Sequence, residues 1–340
     1  MRKRVLGALV ATGTLVAASL VVLTAGPAQA TTVNDEASLR AAFGDAAETQ
    51  IDLDADITLS SACPNGNVGR NSGTPLVVNG HGHSVTQTCT SGSSQVFSVI
   101  NGTSLTFENI TITGGQSVGG QGGGITTGGS VALLDSTVSG NTVGGAGEGG
   151  GVFAADGVSL TNSTVSGNTA STQGGGIFAG TVTVVYSTVA GNSAPSAANI
   201  LATTDTLVPF GSGVALPQGG GGNCVVDTTT SNGFNFSDDA SCELAAASDK
   251  QNAGDPGLGA LANNGGPTQT RLPQAGSPLI DAIPTASCQA DGASGITTDQ
   301  RGVTRPQGAG CDIGAVEVEP AVPPSPTPAA PVTAPVRFTG

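Results

Sequence analysis

The chain has 340 residues, 54 of them glycine, with no tryptophan and only 3% aromatic residues, so a compact core built on large rings is excluded. Ten Lys+Arg stand against 24 Asp+Glu. Removing the three basic residues of the leader leaves seven against 24, a net charge of −17, which excludes nucleic acid and anionic membrane surfaces as partners.

Residues 1–30 read as a signal peptide. Arg2, Lys3 and Arg4 precede the uncharged apolar stretch from Val5 to Ala25, and Ala28-Gln29-Ala30 supplies a small-x-small cleavage site. The remaining chain is therefore expected to be secreted or held at the cell surface, with no membrane insertion once the leader is gone. Asn34 to Ala46 follows as a short capping helix. Asn34 is its expected N-cap, Asp35 and Glu36 suit the first turn, and Leu39 and Phe43 lie four apart on one face.

Residues 31–222 carry the main signal, an internal repeat. Asn109-Ile-Thr-Ile-Thr-Gly-Gly115, Ser136-Thr-Val-Ser-Gly-Asn141, Ser163-Thr-Val-Ser-Gly-Asn168 and Ser187-Thr-Val-Ala-Gly-Asn192 superimpose. Their central residues Ile112, Val138, Val165 and Val189 are spaced by 26, 27 and 24. Gly122-Gly-Gly-Ile125, Gly149-Gly-Gly-Val152 and Gly174-Gly-Gly-Ile177 keep the same beat, and a degenerate copy ends at Ile200. Apolar residues alternate within each copy, as in Val158, Leu160 and Val182, Val184, which is the pattern of half-buried strands between tight turns.

One such copy cannot bury its apolar face alone, so copies must stack. The expected fold is all-β: a single-stranded, right-handed parallel β-helix of six or seven rungs between Ile51 and Val214, closed at one end by the helix. Asn141, Asn168 and Asn192 mark a fixed corner, where Asn tolerates the left-handed conformation and stacked amides can pair between rungs.

After Gly219-Gly-Gly-Gly222 the beat fades. Residues 223–318 read as final irregular rungs and a disulfide-pinned cap, and 319–340 as a proline-rich extended tail. The six cysteines, Cys63, Cys89, Cys224, Cys242, Cys288 and Cys311, read as disulfides in an exported chain. Sequential pairing is favoured because residues one rung apart are neighbours in a coil. The other pairings remain open.

Several of these strings resemble known secreted repeat proteins. Thr32-Val-Asn-Asp-Glu-Ala-Ser-Leu-Arg-Ala-Ala-Phe43 is similar to the N-terminal CSLREA element, with Ala37 in place of its leading cysteine and Ala41 in place of its glutamate. The Ser-Thr-Val-Ser-Gly-Asn and Gly-Gly-Gly-Ile copies resemble the repeats of polymorphic outer-membrane proteins. Asp255 to Glu317, with Asn-Gly-Gly-Pro-Thr, Ser-Pro-Leu-Ile-Asp, Asp-Gln-Arg-Gly and Cys-Asp-Ile-Gly-Ala-Val-Glu, resembles a choice-of-anchor Q domain. The resemblance implies a pectin-lyase-like solenoid at the cell surface and no particular reaction.

Enzymes of this architecture set the alternative. Gly80-His81-Gly82-His83 resembles the Gly-His-Gly of glycosidases on this fold, which also need two carboxylates across the scissile bond. Asp238-Asp239 is the adjacent acidic pair outside the cap, and residues 71–249 contain no Lys or Arg to clamp an acidic substrate. Asp52, Asp54 and Asp56 alternate with Ile51, Leu53, Ala55 and Ile57, so they are expected on one strand face, either as Ca²⁺ ligands or as a solvated outer side. No other cofactor pattern occurs: the glycine runs lack the Lys-Ser/Thr of a phosphate loop, and no CxxC is present. The favoured function is a structural or adhesive surface protein binding glycans or surface partners along a flat, Thr-, Ser- and Asn-bearing side. The alternative is a polysaccharide lyase or glycoside hydrolase.

Overall fold

A computed structural model describes residues 30–320 except Asn65, Ser91, Asp205 and Asp291. The expected signal peptide and the expected proline-rich tail beyond Pro320 therefore lie outside the described residues. Repeats of about 25 residues coil into a parallel β-helix, because each turn supplies the apolar surface its predecessor needs. Three parallel sheets run along the rod: a broad sheet of 14 strands, a sheet of eight that we call the hydroxyl sheet, and a short sheet of three.

Inward side chains form columns. Ile57, Val85, Ile112, Val138, Val165, Val189 and Val214 are in register across the hydroxyl sheet, and each is at most 3% exposed. In the broad sheet Ile51, Val78, Phe107, Leu133, Leu160 and Val184 do the same. Coiling goes further than the repeat beat indicated. The hydroxyl sheet continues to Phe236–Ser237, where the last strand pairs with Gly213–Ala215.

Helix α1 (Glu36–Gly44) covers the first end, burying Leu39 and Phe43 completely. Its N-cap is Asp35, not Asn34: the Asp35 carboxylate accepts the Ser38 N–H at 2.7 Å, because Ser38 sits at the third helical position and completes a capping box. Arg70, 1% exposed, closes the other end of the helix by donating to the Phe43, Asp45 and Glu48 carbonyls.

The Gly-Asn corner works differently from its expected form. Gly140, Gly167 and Gly191 take the left-handed backbone (φ 64, 68 and 71°), while Asn141, Asn168 and Asn192 turn inward and are fully buried. Each amide nitrogen donates to the next rung's amide oxygen: Asn141 to Asn168 at 3.0 Å, Asn168 to Asn192 at 2.9 Å. The same oxygens accept backbone N–H groups of Asn141 and Asn168. The ladder then changes column. Pro217 follows the next corner and has no amide, so Asn199, from the position held by Gly176 one rung earlier, continues the chain of bonds to Asn223 at 2.6 Å. Glycine is needed opposite the earlier amides: a Cβ at Gly151 would lie 3.0 Å from the Asn168 Cγ.

Left-handed non-glycine residues occupy the other corner instead, at His81, Asn109, Asp135, Asn162 and Tyr186 (φ 45 to 49°). After that corner Ser136, Ser163 and Ser187 form a second buried ladder, each hydroxyl accepting a backbone N–H from the rung before.

Cys63–Cys89, Cys224–Cys242 and Cys288–Cys311 form disulfides in sequence order, with Cα separations of 5.4, 4.8 and 5.9 Å. The first joins neighbouring rungs, and the second ties the last rung to the loop that covers it.

Residues 223–318 do not simply prolong the rod. The part up to about residue 252 completes and covers the final rung. The rest folds back along the outside of the hydroxyl sheet. Thr137 Oγ1 donates to the Gln269 carbonyl, Thr164 Oγ1 to Gln300 Oε1, and Thr188 Oγ1 accepts the Ala315 N–H. Arg271 Nε donates to Ser166 Oγ. The outward hydroxyls of the Thr-Val-Ser repeat are thus the anchorage of the chain's own C-terminal segment. A second apolar cluster, with Tyr186, Phe210, Phe236, Leu279, Ile283 and Ile313, fills the seam. Inside the segment Arg305 and Glu317 pair at 2.9 Å with both side chains at most 1% exposed, and the guanidinium lies 4.3 Å from the Tyr186 ring centroid. Burial pushes the Tyr186 hydroxyl up to about 12.

Two predictions follow from the ladder and the seam. Asn168→Ala removes partners from the Asn141 amide and N–H deep in the interior, and should cost about 2–4 kcal/mol in urea unfolding. Asp135 sits at the seam, where burial pushes its carboxyl up to about 6 against a hydrogen bond from Asn162, with Asp299 and Glu108 adding to the rise. A raised carboxyl contributes stability at low pH that is lost as pH climbs through about 6. Asp135→Asn, which suits the left-handed corner as Asn109 and Asn162 do, should stabilise at pH 7 by roughly 1–2 kcal/mol and make no difference near pH 4. Thermal melts of both proteins across that range check it.

Candidate functional site

The residues singled out for chemistry fall in two places. His81 and the aspartates of the first rung line a cleft of about 310 Å³ with Thr32 and His83. Asp52, Asp54 and Asp56 do not share a strand face there. The strand Gln50–Leu53 ends before the chain bends at Asp54 and Ala55, and Asp56 precedes Ile57–Leu59 in a different sheet. Asp52 Oδ1 is 3.4 Å from His81 Nε2, Asp56 Oδ1 is 3.5 Å from His83 Nδ1, and Asp54 is exposed. Hydrogen bonds from Ser84 hold Asp56 below the usual carboxylate range. The bend thus divides the three aspartates that alternation placed on one face, and among the described residues no three His, Cys, Asp or Glu side chains form a group that could hold a metal ion. Gly80-His81-Gly82-His83 is the left-handed corner with two residues more than in later rungs. Gly80 is obligatory, since its Cβ would lie 2.6 Å from that of Ile110.

Asp238 and Asp239 are far from that cleft and fully committed. Asp238 accepts from Leu216 N and Asn223 Nδ2, and Asp239 from the N–H groups of Asn223 and Ser241. Burial pushes Asp239 up, but the bonds from Ser241 and Asn223 outweigh it and keep the carboxyl low. The pair ends the amide ladder, as a carboxylate must where no further rung supplies an oxygen.

Basic side chains are equally committed. Arg40 binds Glu36 and the Gly66 and Asn67 carbonyls; Lys250 binds the Pro278 carbonyl; Arg301 binds Asp299 and the Asn264 carbonyl. With Arg70, Arg271 and Arg305 already accounted for, every Lys and Arg among the described residues holds the fold. None is left to receive an anionic ligand.

What remains open is the outer side of the broad sheet. Of the Thr, Ser and Asn side chains expected along a flat side, the repeat asparagines are internal, and the hydroxyls from Thr137 to Thr188 on the hydroxyl sheet are covered. On the broad sheet a shallow groove of about 240 Å³ runs past Ser104, Thr106, Ala132, Ser159 and Thr183. A second, of about 440 Å³, is lined by Ser98, Ile100, Gln121, Thr126 and Phe153. Phe153 and Phe178 occupy successive rungs, with ring centroids 5.0 Å apart and planes 22° from parallel. Sequence reading missed these two. Their signal was there: in a chain with nine phenylalanines, both directly follow the inward residue of a Gly-Gly-Gly copy, one repeat apart.

Residues 30–142 match the family model of a pectate lyase-like adhesive domain, which covers about a third of the chain. No curated protein and no solved structure matches the chain. The chain is thus similar, in its first rungs, to adhesive solenoids, and the matched part includes the cap, the first-rung cleft and the start of the open face.

Removing the Arg305 partner tests how firmly the C-terminal segment guards the hydroxyl sheet. Glu317→Gln removes the carboxylate paired with the buried Arg305 guanidinium, and should destabilise the protein by about 3–5 kcal/mol. Proteolysis should then cut first within residues 254–318.

Proposed function

We propose that this is an exported adhesive protein that holds glycans or comparable surface partners on the outer side of its broad sheet. One observation carries the reading: the chain covers one of its flat sides with its own C-terminal segment and leaves the broad sheet open, grooved and free of unengaged basic side chains among the described residues. The match to an adhesive domain over the first rungs supports it, as do three disulfides, which belong to oxidising compartments. Among the described residues no helix is long and apolar enough to cross a membrane. A solenoid suits adhesion because its faces are rigid and repeat at one strand spacing, so weak contacts add along the axis.

The polysaccharide-cleaving alternative draws no support from the residues that prompted it. Asp238 and Asp239 are structural, and the histidines of the second rung face the aspartates of the first at a corner with no Lys or Arg beside them among the described residues.

Binding of the purified protein to immobilised glycans and to cell surfaces should be measurable without release of sugar fragments. Ser159→Arg, an exposed change in the middle of the first groove, should weaken that binding at least fivefold. Thr58→Arg, on the uncovered start of the hydroxyl sheet, should not. Depolymerisation of any member of a neutral and acidic polysaccharide panel would overturn the reading in favour of an enzyme.

A further inference from the structure

We propose that the space beside Phe153 is a stacking subsite for an uncharged pyranose, on the reading that the broad sheet is the adhesive face. Along the outward column of that sheet, Thr126, Phe153, Phe178 and Leu201 are in register on successive strands. The residues on either side of each ring, Val152 with Ala154 and Ile177 with Ala179, are buried, so both rings stand on the outer surface. Phe178 backs one side of Phe153. On the other side the ladder of rings is one member short: Thr126 takes the next position, and the second groove opens there, lined by Thr126, Phe153, Ile100 and Gln121.

The shape and chemistry of that gap select its occupant. An aromatic face is the negative pole of the ring quadrupole and attracts the positively polarised C–H groups of a sugar face. A pyranose placed over Phe153 would therefore take the position that Phe178 holds behind it. Ile100, 76% exposed, is the largest exposed apolar side chain among the described residues and forms a further wall. Around this apolar floor Ser98, Gln121 and Thr126 supply the polar atoms that sugar hydroxyls need. The volume falls in the range of small-ligand sites, about 300–1,000 Å³, whereas two rings and one isoleucine are far too little for a protein interface of about 1,000 Å² or more.

Charge narrows the class. The column beside the rings runs Gln121, Glu148, Gln173, with Gln173 Nε2 donating to Glu148 Oε1 at 2.7 Å. It contains a carboxylate and no cation, and every Lys and Arg among the described residues is engaged elsewhere in the fold. Uronates and sulfated sugars would be repelled, so the ligand is a neutral glycan.

Two variants of opposite design test the site. Thr126→Phe supplies the missing ring and fills the gap from an outward position. Phe153→Ala removes the floor. Each should weaken binding to a neutral polysaccharide at least tenfold by affinity electrophoresis or calorimetry, with melting temperature recorded alongside. Thr126→Phe should leave the melting temperature within a few degrees, so that loss of binding cannot be laid to unfolding. Neutral-glycan binding that survives both changes would overturn the subsite and leave the adhesive face standing. Binding confined to uronate or sulfated chains would overturn the ligand class. A wild-type protein that binds no glycan would overturn both readings.

Discussion

An amide turned into a dry interior must find partners for its hydrogens and its oxygen, and this requirement sets the register of the coil. Leaving such a group unpaired costs on the order of 1–3 kcal/mol. Asn141, Asn168, Asn192, Asn199 and Asn223 meet it by bonding to one another from rung to rung. A slip of one residue would break these bonds and turn the inward valines outward together. The glycines of the Gly-Gly-Gly copies belong to the same constraint, since the amide occupies the room a Cβ would need. Even the exception obeys it: where Pro217 interrupts the column, an asparagine appears in the glycine's place.

Polar satisfaction governs both ends of the rod as well. Arg70 takes up the carbonyls at the end of α1 and beyond, and Asp238 with Asp239 receives the last donors of the amide ladder. Carboxylates and guanidinium groups are thereby drawn into structural duty. The strings Asp-Gln-Arg-Gly and Cys-Asp-Ile-Gly-Ala-Val-Glu have the same explanation. Gln300 bonds to Ser136, Thr137 and Thr268, Arg301 to Asp299, and Arg305 to Glu317, so these motifs fasten the C-terminal segment.

That fastening decides which surface can meet a partner. The rod has an outward array of threonine and serine hydroxyls, but from Thr137 onward the chain spends it on its own C-terminal segment. The broad sheet keeps its outer side, and there the rung-to-rung register that aligns the core also aligns Phe153 with Phe178. An acidic protein with no unoccupied basic side chain among its described residues has little to offer anionic ligands. It can offer apolar faces edged with amides and hydroxyls.

Local sequence determined the coil, because a 23- to 27-residue beat with alternating Val and Ile has no other way to bury its apolar side than stacking on its neighbours. The capping helix, its buried Leu39 and Phe43, and the pairing of cysteines about one rung apart were legible for the same reason: each depends on near neighbours. Three features were not legible. The αL conformation belongs to the glycine of the Gly-Asn corner, since the asparagine is needed inside. Asp52, Asp54 and Asp56 are divided by a bend that alternation alone does not reveal. The return of residues 254–318 along the hydroxyl sheet joins positions more than 100 apart, as between Thr137 and Gln269, and no periodicity records it. Tertiary structure alone decided which flat side stays open, because hydroxyls able to bind a glycan are equally able to bind the chain that carries them.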